Sequence, residues 1–439
     1  MKKALFVLLV LMIALPMAFA GGGGQSSSSG GGQITLTVWS GYPEQEPFIK
    51  HAGAEYAKTH PNVRVEVLTN PLREYEQKLS ASIPSDTAAD ILDVSNYAMR
   101  KFVEANLIPP LAGNALSFVN ASGRYSAFTR EVLNWNNSVY GIPFFQGRTV
   151  LFWNTEMFRA AGLTRAPQTY AEAAEYAKKL TVTDAQGNIT RSGHSLRISG
   201  QGSGIAEKFW FVLYPMGGSI IEESATQKGK YHAGYNNDAG RKALKYYIDS
   251  LYVDKYNSFT VKQDAEAFEL EQTAMFMRES WVVGDIAQKA PNLKYDTAFV
   301  PRDVRWGRIA NHQNLYVTRS CKNPEVAWDF VLFMVSDDMQ RWMFDNVGWL
   351  PSRQDVDYSA ILTKTPQLKA FIEMPQGYTE YGYTPIAAFD EVLTKFAERL
   401  AAAYLEASLA NNPAGIAKVM SDAAEETNTI LRRAGLFAE

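Results

Sequence analysis

The sequence predicts an α/β protein built as two lobes, and three observations carry that expectation. Strand-like and helix-like stretches alternate from Ile34 to Ala105. The alternation resumes beyond Thr149, and the segments together outnumber what one small sheet can hold. Ile34–Trp39 (ITLTVW) alternates polar and apolar residues, the period of a half-buried strand. Glu46–Thr59 follows with helical spacing and stops at His60-Pro61, because a residue before proline avoids the α region. Val63–Leu68 alternates again, Leu72–Ser82 reads as a helix, Ile91–Val94 as a short strand and Met99–Ala105 as a helix. Strand, helix, strand, helix, strand is the pattern of a parallel sheet covered on both faces.

Further on, Thr149–Trp153 reads as a strand, and Thr169 is a suitable N-cap for a helix over Tyr170–Leu180. Asn236 or Asn237 caps a helix running through Leu251. Thr273–Met277, Ala298–Pro301 and Leu315–Thr318 read as strands, and Pro324 opens a helix as its first residue. From Thr384 onward the chain is largely helical, with Pro413 starting the last segment, and no repeat recurs at a fixed period.

The N-terminus predicts export. Lys2 and Lys3 precede an apolar run from Ala4 to Leu15, and Ala18-Phe19-Ala20 supplies a small-x-small cleavage pattern. The run is shorter than the roughly 20 residues a spanning helix needs, so residues 1–20 read as a signal peptide. Residues 21–33 read as a Gly/Ser-rich flexible tether. Gly21 stands where a lipid-anchored protein needs cysteine, so the expected product is a free periplasmic or extracellular protein. Cys321 is the only cysteine, so no intramolecular disulfide forms and the fold must rest on its core. The net charge is −3; removing Lys2 and Lys3 with the leader makes it −5. That balance offers no basic face for nucleic acid, and a monomer is expected. Nine Trp, 22 Tyr and 23 Phe exceed what a core needs and leave rings to line a site.

Motifs for catalysis are missing from the sequence. The histidines at 51, 60, 194, 232 and 312 show no pair at metal-ligand spacing and no HExxH, so neither metal nor cofactor is expected. Cys321 has no CxxC partner, and Gly193-His-Ser-Leu-Arg197 departs from GxSxG at its last position. Gly200-Gln-Gly-Ser-Gly204 lacks dinucleotide spacing and a P-loop lysine, and reads as a turn before a helix. No catalytic residue is assigned, and the chain reads as a non-enzyme. Because a glycoside hydrolase needs only two carboxylates about 5–10 Å apart, a secreted glycoside-active enzyme stays as a minor alternative.

Several phrases, in order along almost the whole chain, carry a resemblance. They are Ile34–Trp39 with Ser40-Gly41, Glu55-Tyr56 to Val67, and Ala89–Val94. Tyr140–Pro143, Leu151–Phe158, Ala161–Leu163 and Pro167–Glu172 continue the series. Gln272–Met275 with Trp281, Asn323–Phe330 and Gly348–Arg353 complete it, with Glu279-Ser280 in place of the usual small residues. The chain resembles bacterial extracellular solute-binding protein family 1, which includes maltose-binding and other sugar-binding components of ABC importers. The resemblance implies a periplasmic binding protein type II fold with a hinge and an interlobe cleft. It implies one lobe from 34–145 plus 311–350 and another from 146–310 plus 351–439. Crossovers are expected near Pro143–Arg148, Val300–Arg302 and Leu350–Ser352.

The same resemblance implies capture of a mono- or oligosaccharide for an ABC permease. A non-sugar solute such as a glycerophosphodiester is the alternative, kept by Arg148 and Arg278. Sugars present C–H faces to aromatic rings and hydroxyls to fixed donors and acceptors. The positions carried over are Ser40, Gly41 and Tyr42 after the first strand, and Ser95, Asn96 and Tyr97 after the third. Gln146 and Arg148 lie on the first crossover, with Arg148 read equally as a contact or an interlobe brace. Trp281 stands where relatives stack a ring on sugar, and Asn311, His312 and Gln313 lie where the chain returns to the first lobe. Trp210, Tyr381 and Tyr383 are further cleft candidates, whereas Trp39 reads as strand-end core.

Overall fold

The computed structural model describes residues 32–439. The expected leader (1–20), and the tether (21–33) up to residue 31, lie outside the described residues. Among the described residues no helix is long and apolar enough to cross a membrane.

The predicted alternation is present at the start. β1 (Ile34–Ser40), α1 (Glu46–Ala57), β2 (Val63–Thr69), α2 (Leu72–Ser82), β3 (Ile91–Ser95) and α3 (Asn96–Glu104) follow one another. β1 lies between β2 and β3 and parallel to both, with Ile34 opposite Val63 and Val38 opposite Ile91. α3 begins at Asn96 rather than Met99, so Asn96 and Tyr97 sit on a helical turn instead of a loop.

The chain then passes between two sheets. β4 (Ile142–Arg148) belongs to the large sheet, and only Thr149 separates it from β5 (Val150–Asn154), the centre of a three-stranded antiparallel sheet. α4 (Tyr170–Leu180) starts where the Thr169 hydroxyl accepts from the Glu172 N–H. α5 (Gly204–Leu213) and α6 (Asp238–Tyr252) follow, the latter capped by Asn237. β6 (Met275–Arg278) and β7 (Tyr295–Ala298) flank β5, with α7 (Trp281–Lys289) between them in sequence.

β8 (Gly307–Val317) returns to the large sheet, antiparallel to both β3 and β4. α8 (Pro324–Met334) opens on Pro324 as predicted, and β9 (Leu350–Pro351) pairs with Phe145 and Gln146. β10 (Thr379–Tyr381) runs parallel to the first residues of β8. The chain ends in two long helices, α9 (Phe389–Tyr404) and α10 (Pro413–Arg433). The large sheet therefore has seven strands, six in the order β9-β4-β8-β3-β1-β2 and β10 beside β8. The two-lobe α/β class expected from sequence is present, with a mixed rather than all-parallel large sheet and a small antiparallel one.

Two strands differ from their sequence reading. The strand expected at Ala298–Pro301 spans Tyr295–Ala298, before Pro301, which has no N–H to give a ladder. The strand expected at Leu315–Thr318 is only the end of the eleven-residue β8, all of whose residues are buried. With no exposed face there is no alternation to read, and its polar Asn311, His312 and Gln313 conceal it further. The chain re-enters the large sheet at Gly307, the first residue of β8.

Apolar residues on these elements form the cores. Leu36, Phe48, Ile91, Phe144 and Phe330 are packed in the first lobe. Val150, Phe152, Phe276 and Phe371 pack beneath the small sheet. A third cluster joins Tyr75 and Phe102 of the first lobe to Phe209, Tyr247 and Phe396 of the second.

Where the strands pass between lobes, two buried arginines share one carboxylate. Arg148 Nε lies 2.6 Å and Arg308 Nε 3.2 Å from Glu380 Oε1. Arg308 also donates to the Ala370 carbonyl (2.7 Å), and Arg148 to the Phe371 carbonyl (3.2 Å). Burial pulls the Arg148 pKa down to about 10, with Glu380 opposing and Arg308 reinforcing the shift. Removing one member of such a cluster leaves buried charge uncompensated, which costs about 3–5 kcal/mol. Glu380→Gln is therefore expected to lower unfolding stability by about that amount in urea titrations. A change within about 1 kcal/mol, the level of an exposed ion pair, would refute the role of Glu380 here.

Candidate functional site

In open α/β sheets the carboxyl ends of parallel strands border the ligand crevice. β1 ends at Ser40, whose hydroxyl donates to Asp93 Oδ2 (2.6 Å) and accepts from the Tyr42 N–H (3.1 Å). Burial pushes the Asp93 pKa up to about 8, although the Ser40 hydrogen bond opposes it. A Cβ on Gly41 would lie 2.7 Å from the Tyr75 ring, so the chain needs glycine at this close approach. The turn presents Tyr42 edge-on to Trp349 (5.5 Å between centroids) and Phe145 (5.2 Å). The Trp349 indole N–H donates to Glu44 Oε1 at 3.1 Å. Leu72 and Tyr97, from the first turns of α2 and α3, complete this wall.

The second lobe answers with charge. Lys208, on the first turns of α5, donates to Glu279 Oε1 (2.6 Å) and Glu207 Oε1 (2.8 Å). Arg278, at the end of β6, lies 3.0 Å from Glu279 Oε2 and 2.7 Å from Asp264 Oδ1. Its guanidinium is 5.1 Å from the ring centroid of Trp281, the first residue of α7. Burial works to raise the Glu279 pKa, yet Lys208 and Arg278 outweigh it and hold the carboxylate below its ordinary range. Glu44 goes the other way: burial raises its pKa, only partly offset by its hydrogen bonds. The Tyr97 and Tyr383 rings meet across the lobes at 4.2 Å. β4 passes close beneath, where a Cβ on Gly147 would lie 3.1 Å from the Glu279 side chain.

Between these walls lies a cavity of about 280 Å³. Past Pro43, Glu44 and Trp281 it adjoins a second hollow of about 480 Å³ along α7. A larger hollow of about 610 Å³ is lined by Trp153, Trp306 and residues between them in sequence, none of which lines the first cavity.

Of the residues singled out from sequence, Gly41, Tyr42, Tyr97, Trp281, Asn311, Gln313 and Tyr383 line this one cavity. The others lie behind or beside it. Ser40 positions the turn, and buried Ser95 sits opposite Gln313 on the neighbouring strand. Asn96 donates to the Val132 carbonyl, and Gln146 to that of Pro351. Arg148 is held by Glu380 and so occupies the brace position of its two readings. His312 is buried beside Thr129, with its pKa pulled down to about 3 by burial. Trp210 packs behind Tyr383, and Tyr381 stacks on Tyr214 at 3.8 Å while donating to the Trp210 carbonyl.

Glu44, Glu207, Lys208, Glu279 and Trp349 join the site without having been expected from sequence as site residues. A charged pair, Glu207-Lys208, opening an otherwise apolar helix (GIAEKFWFVL) was the available signal. Trp349 stands inside the Gly348–Arg353 phrase, and nothing local distinguishes Glu44 from other acids.

A profile of the bacterial extracellular solute-binding proteins matches residues 40–341. The arabinooligosaccharide-binding protein of Bacillus subtilis is 24% identical over 395 residues, 81% of this chain and 82% of that protein. Among solved structures, an ABC transporter solute-binding protein of Thermotoga lettingae bound with α-D-tagatose superposes with a TM-score of 0.77 at 20% identity. The alignment covers 91% of this chain and all of that one. UgpB of Mycobacterium tuberculosis in complex with glycerophosphocholine gives 0.75 at 18% identity, covering 92% of this chain and 100% of its own. With the profile spanning more than half its length and the cleft in place, this chain belongs to the bacterial extracellular solute-binding proteins.

Proposed function

We propose that this chain is the extracytoplasmic solute-binding component of an ABC importer. In this reading it captures a mono- or oligosaccharide between lobes that close on it and passes it to a membrane permease. The carrying observation is the meeting, in one interlobe cavity, of the Tyr42, Trp281 and Trp349 rings with Glu44, Glu207, Glu279, Asn311 and Gln313. Flat faces suit the C–H surfaces of a pyranose, and carboxylates and amides suit its hydroxyls. The sugar ligands of the Bacillus and Thermotoga relatives support the same reading.

The glycerophosphocholine-bound neighbour favours a second reading, a glycerophosphodiester. Against it, the cavity's cations are committed: Lys208 to Glu207 and Glu279, Arg278 to Glu279 and Asp264. A phosphate would have to displace these pairs. The division we propose places 34–145 plus 311–350 in one lobe and 146–310 plus 351–439 in the other. Pairing of Gly147 with Asn311 and of Gln146 with His312, at the proposed hinge, supports it. We further propose a monomer that binds rather than transforms its solute and acts outside the cytoplasm after its leader is removed.

A thermal-shift screen of saccharides and glycerophosphodiesters selects the ligand, which at about 100 times its Kd adds roughly 2.7 kcal/mol of stability. Calorimetric titration of variants then tests the stacking role. Trp281→Ala is expected to lose about 30-fold or more in affinity, about 2 kcal/mol, while Trp281→Phe retains much of it. Unchanged affinity in a well-folded Trp281→Ala protein would remove the sugar platform. Response to glycerophosphocholine alone would establish the second reading.

A further inference from the structure

Within the sugar reading, on which this inference rests, the charges of the cleft specify more than a neutral ligand. We propose that the preferred solute is a sugar carrying a protonated amine, and that the Glu44 carboxylate receives that amine.

The charge inventory points there. Four carboxylates, Glu44, Glu207, Glu279 and Asp264, stand in and behind the wall against two cations, Lys208 and Arg278. Neighbouring charges balance themselves: Arg73 pairs with Glu76 at 2.7 Å, and Lys289 with Asp285 at 2.5 Å. Glu207, Glu279 and Asp264 each have a cation within 3 Å. Glu44 has none within 4 Å among the described residues, and the Trp349 indole is the one side chain that donates to it. It is also the acid that borders both the inner cavity and the outer hollow.

Closure around a neutral solute would bury Glu44 further, so that its carboxylate either stays ionised without a counter-charge, which is costly, or takes up a proton, the direction in which burial already moves its pKa. An ammonium group supplies the missing counter-charge and donates with both partners ionised, whereas a sugar hydroxyl donates with only the acceptor ionised. The surrounding rings add to it. Tyr42 lies edge-on to Trp349, which itself donates to Glu44, and Trp281 borders the same cavity, so aromatic side chains surround the place of the acid. Conversely, an anionic sugar meets an excess of carboxylate with no uncommitted cation. The same inventory that disfavours phosphate thus favours amine.

The test is calorimetric titration of the full chain, slightly below neutral pH, with matched triplets. Glucosamine, galactosamine, mannosamine and their short oligomers are each set against the N-acetylated and hydroxyl counterparts, with glycerophosphocholine as a further arm. At least one amine is expected to bind about tenfold or more tightly than both its counterparts. Glu44→Gln should bring that ratio close to one, with circular dichroism and melting curves confirming a folded variant. A neutral sugar binding as tightly as its matched amine overturns the inference and leaves the sugar reading intact. An amine preference that persists in Glu44→Gln removes Glu44 as its receptor and overturns the assignment. Glycerophosphocholine binding with every saccharide silent, or no saccharide binding at all, overturns both.

Discussion

Strands that serve two lobes at once are the constraint on which the rest of this structure depends. β4 runs into β5 with only Thr149 between them, and β8 pairs with β4 through Ala310, Asn311 and His312. Each strand is buried along its length, so neither lobe can be moved without these segments. Glu380 from β10 ties Arg148 at the end of β4 to Arg308 near the start of β8. These strands form the base of the cleft, and closure about a hinge is the switching mode of periplasmic binding proteins. A solute that touches both walls stabilises the closed arrangement in proportion to those contacts.

The walls are unlike each other, and the difference has a chemical use. The first lobe supplies mainly rings, with Tyr42 and Trp349 at 5.5 Å. The second supplies an ion lattice, Glu207–Lys208–Glu279–Arg278–Asp264, alongside Trp281. Ion pairs buried this way contribute little net stability, but they fix the carboxylate oxygens before any solute arrives. Acceptors already held in place lose less freedom on binding, which favours affinity. Tyr97 and Tyr383 are in contact at one side of the cleft.

Local signals were legible in the sequence, and distant ones were not. Caps at Thr169 and Asn237, the proline starts at 324 and 413, and the first three strands all announce themselves within a few residues. β8 did not, because a strand buried on both faces loses its period, and Asn311–Gln313 made it look like a loop. Trp281 and Tyr42 sit in or beside stretches that resemble the family, and Asn311 falls where the resemblance returns the chain to the first lobe. Glu44, Glu207 and Glu279 were not singled out among 46 acids, since only the fold shows which carboxylates share a cavity. Trp210 and Tyr381, chosen by position, pack between α5 and the C-terminal segment, outside the lining of the cavity.

Two lobes closing on a solute held in the cleft beside Trp281 should change the shape of the whole molecule. Small-angle scattering of the protein alone, and saturated with the saccharide giving the largest thermal shift, measures that change. Closure predicts a smaller radius of gyration and a shorter maximum dimension in the bound state. Superimposable profiles at saturation would contradict it.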